Sequence, residues 1–168
     1  VMFFFSGLSV FFTCLLSREN GDLPFTCAMP VKKKDVAAAR ILYFCIFQAI
    51  LLILAGVLTA VKQTCLPSEL QINLSGTTAN TAFLGFGALL LGIFNIIFFP
   101  AYFADPNKVG KPFVIAVTAQ FALIFVLIVL RFSVPALAGV LIMPDPAQMG
   151  IKAGILAAGL CAYGAFTA

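Results

Sequence analysis

Leu23-Pro-Phe-Thr-Cys-Ala-Met-Pro-Val-Lys-Lys-Lys-Asp-Val-Ala-Ala-Ala-Arg40 is the one long polar, basic interruption in an otherwise apolar chain. Membrane-length apolar segments flank it on both sides. Together with Arg18 it gives residues 17–40 five of the chain's ten Lys and Arg residues. Pro30 stops any preceding helix, because it lacks an N–H and clashes with the turn before it. From Lys34 onward, Asp35, Ala37, Ala38 and Ala39 favour a new helix, with the acid near its positively polarised start. That helix runs through Arg40 into the apolar run Ile41 to Val61. The stretch therefore reads as a charged connection feeding a membrane helix.

Composition agrees. The chain is 62% hydrophobic and 10% charged, with 19 Phe among 168 residues. Soluble domains carry roughly a quarter of their residues as charges, so lipid must solvate most of these side chains. The net charge of +4 belongs to the connections and implies no nucleic-acid partner. Five segments are long enough to span a bilayer, at 1–16, 41–61, 83–103, 113–132 and 149–168, since a crossing helix needs about 20 apolar residues. The expected fold class is all-α, a polytopic integral membrane helical bundle in a single transmembrane domain. The first segment lacks the charged start and cleavage site of a signal peptide, and it reads as a chain that begins inside a helix.

Positive charge orients the bundle. Residues 17–40 hold Arg18, Lys32, Lys33, Lys34 and Arg40, and residues 104–112 hold Lys108 and Lys111. The other connections have only Lys62, Arg131 and Lys152, each near a helix end from which it can snorkel to the headgroups. The 17–40 and 104–112 connections are therefore expected in the cytoplasm. With five crossings in this chain, a cytoplasmic start for the intact protein requires a sixth helix upstream.

Inside the spans the polar signals are sparse. Gln48, Asn95 and Gln120 sit in three different segments, as interhelical hydrogen bonds or as the lining of a substrate path. Gly150, Gly154, Ala157, Ala158, Gly159, Ala162 and Gly164 give the last span a face suited to close helix packing. No acid or base lies near the middle of any span, which argues against a self-powered ion-coupled carrier. The chain has no His, its five Cys form no CxxC pair, and no P-loop occurs. The sequence thus offers no catalytic centre, metal site or cofactor site. Asn73-Leu-Ser75 matches a glycosylation sequon only weakly. Val134 to Pro144 is apolar but too short to span; it is a re-entrant or interfacial piece, or a linker lying on the headgroups.

Met29-Pro-Val-Lys-Lys-Lys-Asp-Val-Ala-Ala-Ala-Arg-Ile-Leu42 resembles the Leu-Pro-Val, basic, acidic, Val, Arg/Lys stretch after the second transmembrane helix of small ABC-2 type transporter permeases, with Met29 in place of the usual Leu. Phe98-Phe-Pro-Ala-Tyr-Phe-Ala-Asp-Pro-Asn-Lys-Val-Gly-Lys111 is similar to the aromatic end of the family's fourth helix and the basic turn after it. Helix order, connection lengths and charge bias agree over residues 1–168, as helices two to six of six. The resemblance implies a bacterial inner-membrane subunit of an ABC exporter. It also implies a dimer with a second permease copy or a paralogue, and a separate ATPase subunit that holds ATP and Mg²⁺. The ATPase would dock on the 17–40 connection, which would hold a coupling helix within 18–36, through Leu23, Phe25, Met29 and Pro30. Arg18, Glu19 and Asp22 would form ion pairs at its rim, beside Lys32, Lys33, Lys34 and Asp35. A second reading stays open at this point: a non-transporting immunity, assembly or sensor protein that recruits a cytosolic partner through the same stretch.

Overall fold

A computed structural model describes residues 2–65, 78–142 and 148–167. Seven helices account for nearly all of them: α1 Met2–Glu19, α2 Asp22–Ala28, α3 Lys33–Cys65, α4 Thr81–Ala104, α5 Gly110–Ser133, α6 Pro135–Ile142 and α7 Met149–Thr167. Four of them, α3, α4, α5 and α7, are long and apolar enough to cross a membrane. The molecule is an all-α membrane bundle. The weak sequon at Asn73 lies outside the described residues.

Helix α4 is the hub. Its residues are buried on every side, from Ala82 and Gly85 through Asn95 to Tyr102, as expected for a helix apolar all round. Each neighbour lays a single stripe against the bundle. In α1 the stripe is Phe3, Val10, Cys14 and Ser17, in α3 it is Phe44, Gln48, Ala55 and Thr59, and in α5 it is Pro112, Ala116 and Gln120. These spacings of three, four and seven residues keep one face of each helix inward. The outward faces of α3 and α5, with Leu42, Ile46, Ile53, Val114, Phe125 and Phe132, are left exposed for lipid or another subunit.

The closest approach in the bundle is between α4 and α7. A Cβ placed on Gly85 would stand 2.6 Å from the Ile155 carbonyl oxygen, and one on Gly159 would run into the Gly85 carbonyl. Without a hydrophobic drive between helices in lipid, such contact of small residues is what holds them together. By contrast Gly150, Gly154 and Gly164 face open space.

Two ends can be told apart. At one, Arg18 Nη1 donates to the Asn107 carbonyl at 3.2 Å, joining the end of α1 to the α4–α5 turn. The two connections richest in Lys and Arg thus lie together. At the opposite end, Gln63 Nε2 donates to Ala79 O at 3.0 Å, and Asn80 Nδ2 donates to Val140 O at 2.8 Å. Thr78 reaches the same segment through its N–H to Leu141 O at 3.0 Å and its hydroxyl to Ile142 O. Residues 135–142 are therefore a short helix pinned to the start of α4, and a bare linker they are not. Its last carbonyls, which lack intrahelical partners, are satisfied by Thr78 and Asn80, just before α4. Lys152 departs from the snorkelling expected of it: it is fully buried.

Candidate functional site

The basic end is built from three helix termini. Gly21 adopts φ 68°, a left-handed conformation that carries the chain from α1 into α2 in two residues and that glycine reaches without a Cβ penalty. Asp22 opens α2 at its positively polarised end, and Thr26 Oγ1 donates back to Asp22 O at 2.6 Å. Met29 is extended and Val31 N–H closes a tight turn onto Met29 O at 2.7 Å. Then α3 begins at Lys33, with Asp35 in its first turn. Residues 17–40 are thus mostly helical, and α2 is a short, separate helix between two long ones.

The exposed surface here mixes apolar and charged groups. Phe25 is 68% exposed, Met29 45% and Val31 48%. Pro30, Lys32, Lys33, Lys34 and Asp35 are also exposed, as are Arg18, Glu19 and Asp22. Leu23 lies in the first turn of α2. A cleft of about 630 Å³ opens between the end of α1, α2 and the start of α3, with Asp22, Met29, Val31 and Asp35 on its walls. At its back Arg40 Nη1 donates to Ser17 Oγ at 2.7 Å, and the Tyr102 hydroxyl stands beside the same guanidinium. One side chain of α3 therefore ties α1 and the end of α4 beneath α2.

Arg18 also pairs with Glu19 at 3.8 Å. In the neighbouring turn Lys108 Nζ meets Asp105 Oδ2 at 2.9 Å. The lysine hydrogen bond lowers the Asp105 carboxyl and raises the Lys108 ammonium from their ordinary values. The Asp105 contribution is present at neutral pH and fades as acid protonates the carboxylate. Both groups are exposed, so it steadies the turn only slightly.

In the middle of the bundle the three amides separate into two arrangements. Gln48 and Asn95 exchange two hydrogen bonds, Gln48 Nε2 to Asn95 Oδ1 at 2.9 Å and Asn95 Nδ2 to Gln48 Oε1 at 2.8 Å. The Tyr163 hydroxyl donates to the same Gln48 Oε1 at 2.9 Å. This triad joins α3, α4 and α7, and it occupies both amides. Gln120 stands apart. Its Nε2 donates to Leu90 O at 3.0 Å, and its Oε1 is buried without a partner. It lines a cavity of about 530 Å³ bounded by α1, α4, α5 and α6, walled chiefly by Phe and Leu/Ile side chains.

The sequence grouped the three amides as equals, gave Arg40 only as a boundary charge and left Tyr163 without a role. Neither carries a local signal: a Tyr among small residues, and an Arg at a membrane boundary, find their partners only through helix packing. Among the described residues no three His, Cys, Asp or Glu side chains stand close enough to hold a metal ion.

A family model described as ABC-2 family transporter protein matches residues 1–165. No curated protein and no solved structure matches the chain significantly. The match covers the helical bundle, the α1–α2–α3 end and the α4–α5 turn alike. With these features in place, the chain belongs to the ABC-2 family of transporter proteins, as a membrane permease.

Proposed function

We propose that this permease is the membrane subunit of an ATP-driven exporter, with its ATPase subunit docked on the 17–40 end. The carrying observation is the exposure of Phe25, Met29 and Val31 on a charged surface that has no reason to face lipid. Three large apolar groups around one short helix fit an apolar cleft on a soluble partner, where burial of each contributes about 1.5–3 kcal/mol. Arg18, Glu19 and Asp22 form the polar rim that steers encounter. Lys32, Lys33 and Lys34 sit where anionic headgroups attract each of them by about 1 kcal/mol. In this reading this end, and the adjoining 104–112 turn, face the cytoplasm. In this reading α1, 18 residues and about 27 Å long, is the fifth crossing.

The mechanism follows from the bracing beneath α2. ATP and Mg²⁺ belong to the ATPase subunits, and their closure displaces α2. Because Gly21 gives only a two-residue turn into α1, and Arg40 ties α3 to α1, a push on α2 reaches both helices at once. Two permease copies, or this chain with a paralogue, would then part on the outer side, with Gln120 on the route.

The test is the Phe25→Asp, Met29→Asp double substitution in the intact permease. A carboxylate forced into an apolar cleft must shed water without a partner, at a cost of about 2–7 kcal/mol even for a neutral polar group. Co-purification of the ATPase and transport-linked ATP hydrolysis should both be lost, while membrane insertion survives. Normal assembly and hydrolysis in the double variant would rule out docking on α2.

A further inference from the structure

Three charged side chains at the basic end share one cleft without pairing. The cleft of about 630 Å³ between α1, α2 and α3 is lined by Asp22, Asp35 and Arg40. Among the described residues, ion pairs join Arg18 to Glu19 and Lys108 to Asp105, and none involves these three. Arg40 is half-buried, and its hydrogen-bond partners are the neutral hydroxyls of Ser17 and Tyr102. A guanidinium carries five N–H donors, so two hydroxyls leave donors to spare. A charge drawn partly out of water also calls for a counter-charge. Asp35 lies five positions before Arg40 on α3, about 7.5 Å along the helix. The protein thus holds its own opposite charges apart in one cleft.

The second observation is the level at which the cleft lies. The apolar segment of α1 ends at Leu16, and that of α3 begins at Ile41. The Arg40–Ser17 hydrogen bond, at 2.7 Å, joins these two boundary positions and so marks the headgroup level of the bilayer. On the apolar side of that bond the walls are Leu16, Tyr43 and Phe44, with Tyr43 60% exposed. On the polar side they are Asn20, Asp22 and Asp35. Along the helices the cleft therefore runs from apolar surface, past a cation, to a pair of anions. A phospholipid with an amine headgroup presents the complementary order of acyl chain, phosphate and ammonium.

From these features we propose that the cleft binds one phospholipid with an ethanolamine headgroup, its phosphate on Arg40 and its ammonium on Asp22 and Asp35. The fork of guanidinium donors suits a phosphate. The selectivity comes from the acids: a choline ammonium has no N–H to give them, and a glycerol headgroup brings no cation. Lys32, Lys33 and Lys34 attract anionic lipid in general, so preference for a zwitterion is the mark of the cleft. The site is separate from ATPase docking. Phe25 is not among its walls, although Met29 and Val31 are, and lipid binding requires neither ATP nor the partner.

The test uses the intact permease in detergent micelles, without nucleotide or partner, and counts bound lipid by native mass spectrometry. The probes are palmitoyl-oleoyl phosphatidylethanolamine and the choline and glycerol lipids with the same chains. The ethanolamine lipid should bind about tenfold more tightly than either, the worth of one hydrogen bond to a charged group. The Asp22→Asn, Asp35→Asn double variant keeps the shape of the cleft and should abolish that preference. Asp105→Asn, an acid of the same end outside the cleft, should retain it. Arg40→Gln should weaken the ethanolamine lipid about tenfold; because Arg40 also braces α1, the Asp pair is the deciding variant. Soluble glycerophosphoethanolamine, which lacks the chains, should not displace the lipid at equal concentration. Equal binding of the three lipids, or a preference that survives the Asp pair, would overturn the proposal. So would its loss in Asp105→Asn, undiminished binding in Arg40→Gln, or displacement by the free headgroup. Loss of ATPase co-purification with the lipid preference intact would overturn the exporter reading alone.

Discussion

At the scale of single residues, the bundle depends most on where side chains are absent. Gly159 and Gly85 let the α7 and α4 backbones touch. Gly159→Ala should therefore destabilise the purified permease by about 1–3 kcal/mol, as other overpacked sites do, read as a lowered thermal midpoint in nanodiscs. Gly154→Ala, on the same helix but facing open space, should leave the midpoint unchanged. Equal effects of the two would mean that α4 and α7 are not in register. The Gln48–Asn95 pair gives a second residue-scale expectation. Either Gln48→Leu or Asn95→Leu leaves groups of its partner's amide unmatched, whereas after the double substitution the Tyr163 hydroxyl still has the Cys45 carbonyl, at 3.4 Å. Each single change should cost more than half of the double, with a coupling of about 0.6–1.7 kcal/mol as measured between helices in lipid. Additive effects in that cycle would show that the amides do not meet.

At the scale of elements, the position of α2 depends on one backbone torsion. A β-branched residue in the left-handed conformation of Gly21 costs at least about 1–2 kcal/mol. Gly21→Val should relieve that strain by rotating α2 out of its place between α1 and α3. Co-purification of the ATPase should fall, while Lys32, Lys33 and Lys34 keep the orientation of α3. Undiminished assembly would show that the partner tolerates a displaced α2. Much of this end was legible beforehand: Pro30, the lysines and Asp35 mark the α3 start by chemistry that acts within a few residues. The resemblance implied a coupling helix somewhere within 18–36, and no local signal marked the limits of the short helix α2. Its seven residues include Pro24 and Thr26, and so few residues are not stable as a helix without tertiary support.

At the scale of the molecule, the native cysteines report topology. Cys27 lies on α2 at the basic end, Cys65 is exposed at the far end of α3, and Cys14 is fully buried. A membrane-impermeant maleimide should label Cys65 from the outer face and Cys27 only in inverted vesicles, and should leave Cys14 unmodified in both. Labelling of Cys27 from outside would invert the bundle and remove the docking surface from the ATPase.

The sequence alone determined the solvent, the helices and the ends. Composition demands lipid, apolar runs of fixed length demand helices, and the asymmetry of Lys and Arg groups the 17–40 and 104–112 connections. All three are sums over many residues or act within a turn of the chain, so neighbours in sequence suffice. Which helix is central, which glycines touch, and which of three similar amides is left with an idle acceptor were decided by the tertiary structure. Gln48, Asn95 and Gln120 have the same chemistry, and each sits in an apolar run that gives no hint of its partner. What separates them is whether another helix brings a matching group within about 3 Å, a distance set by packing among residues far apart in the chain.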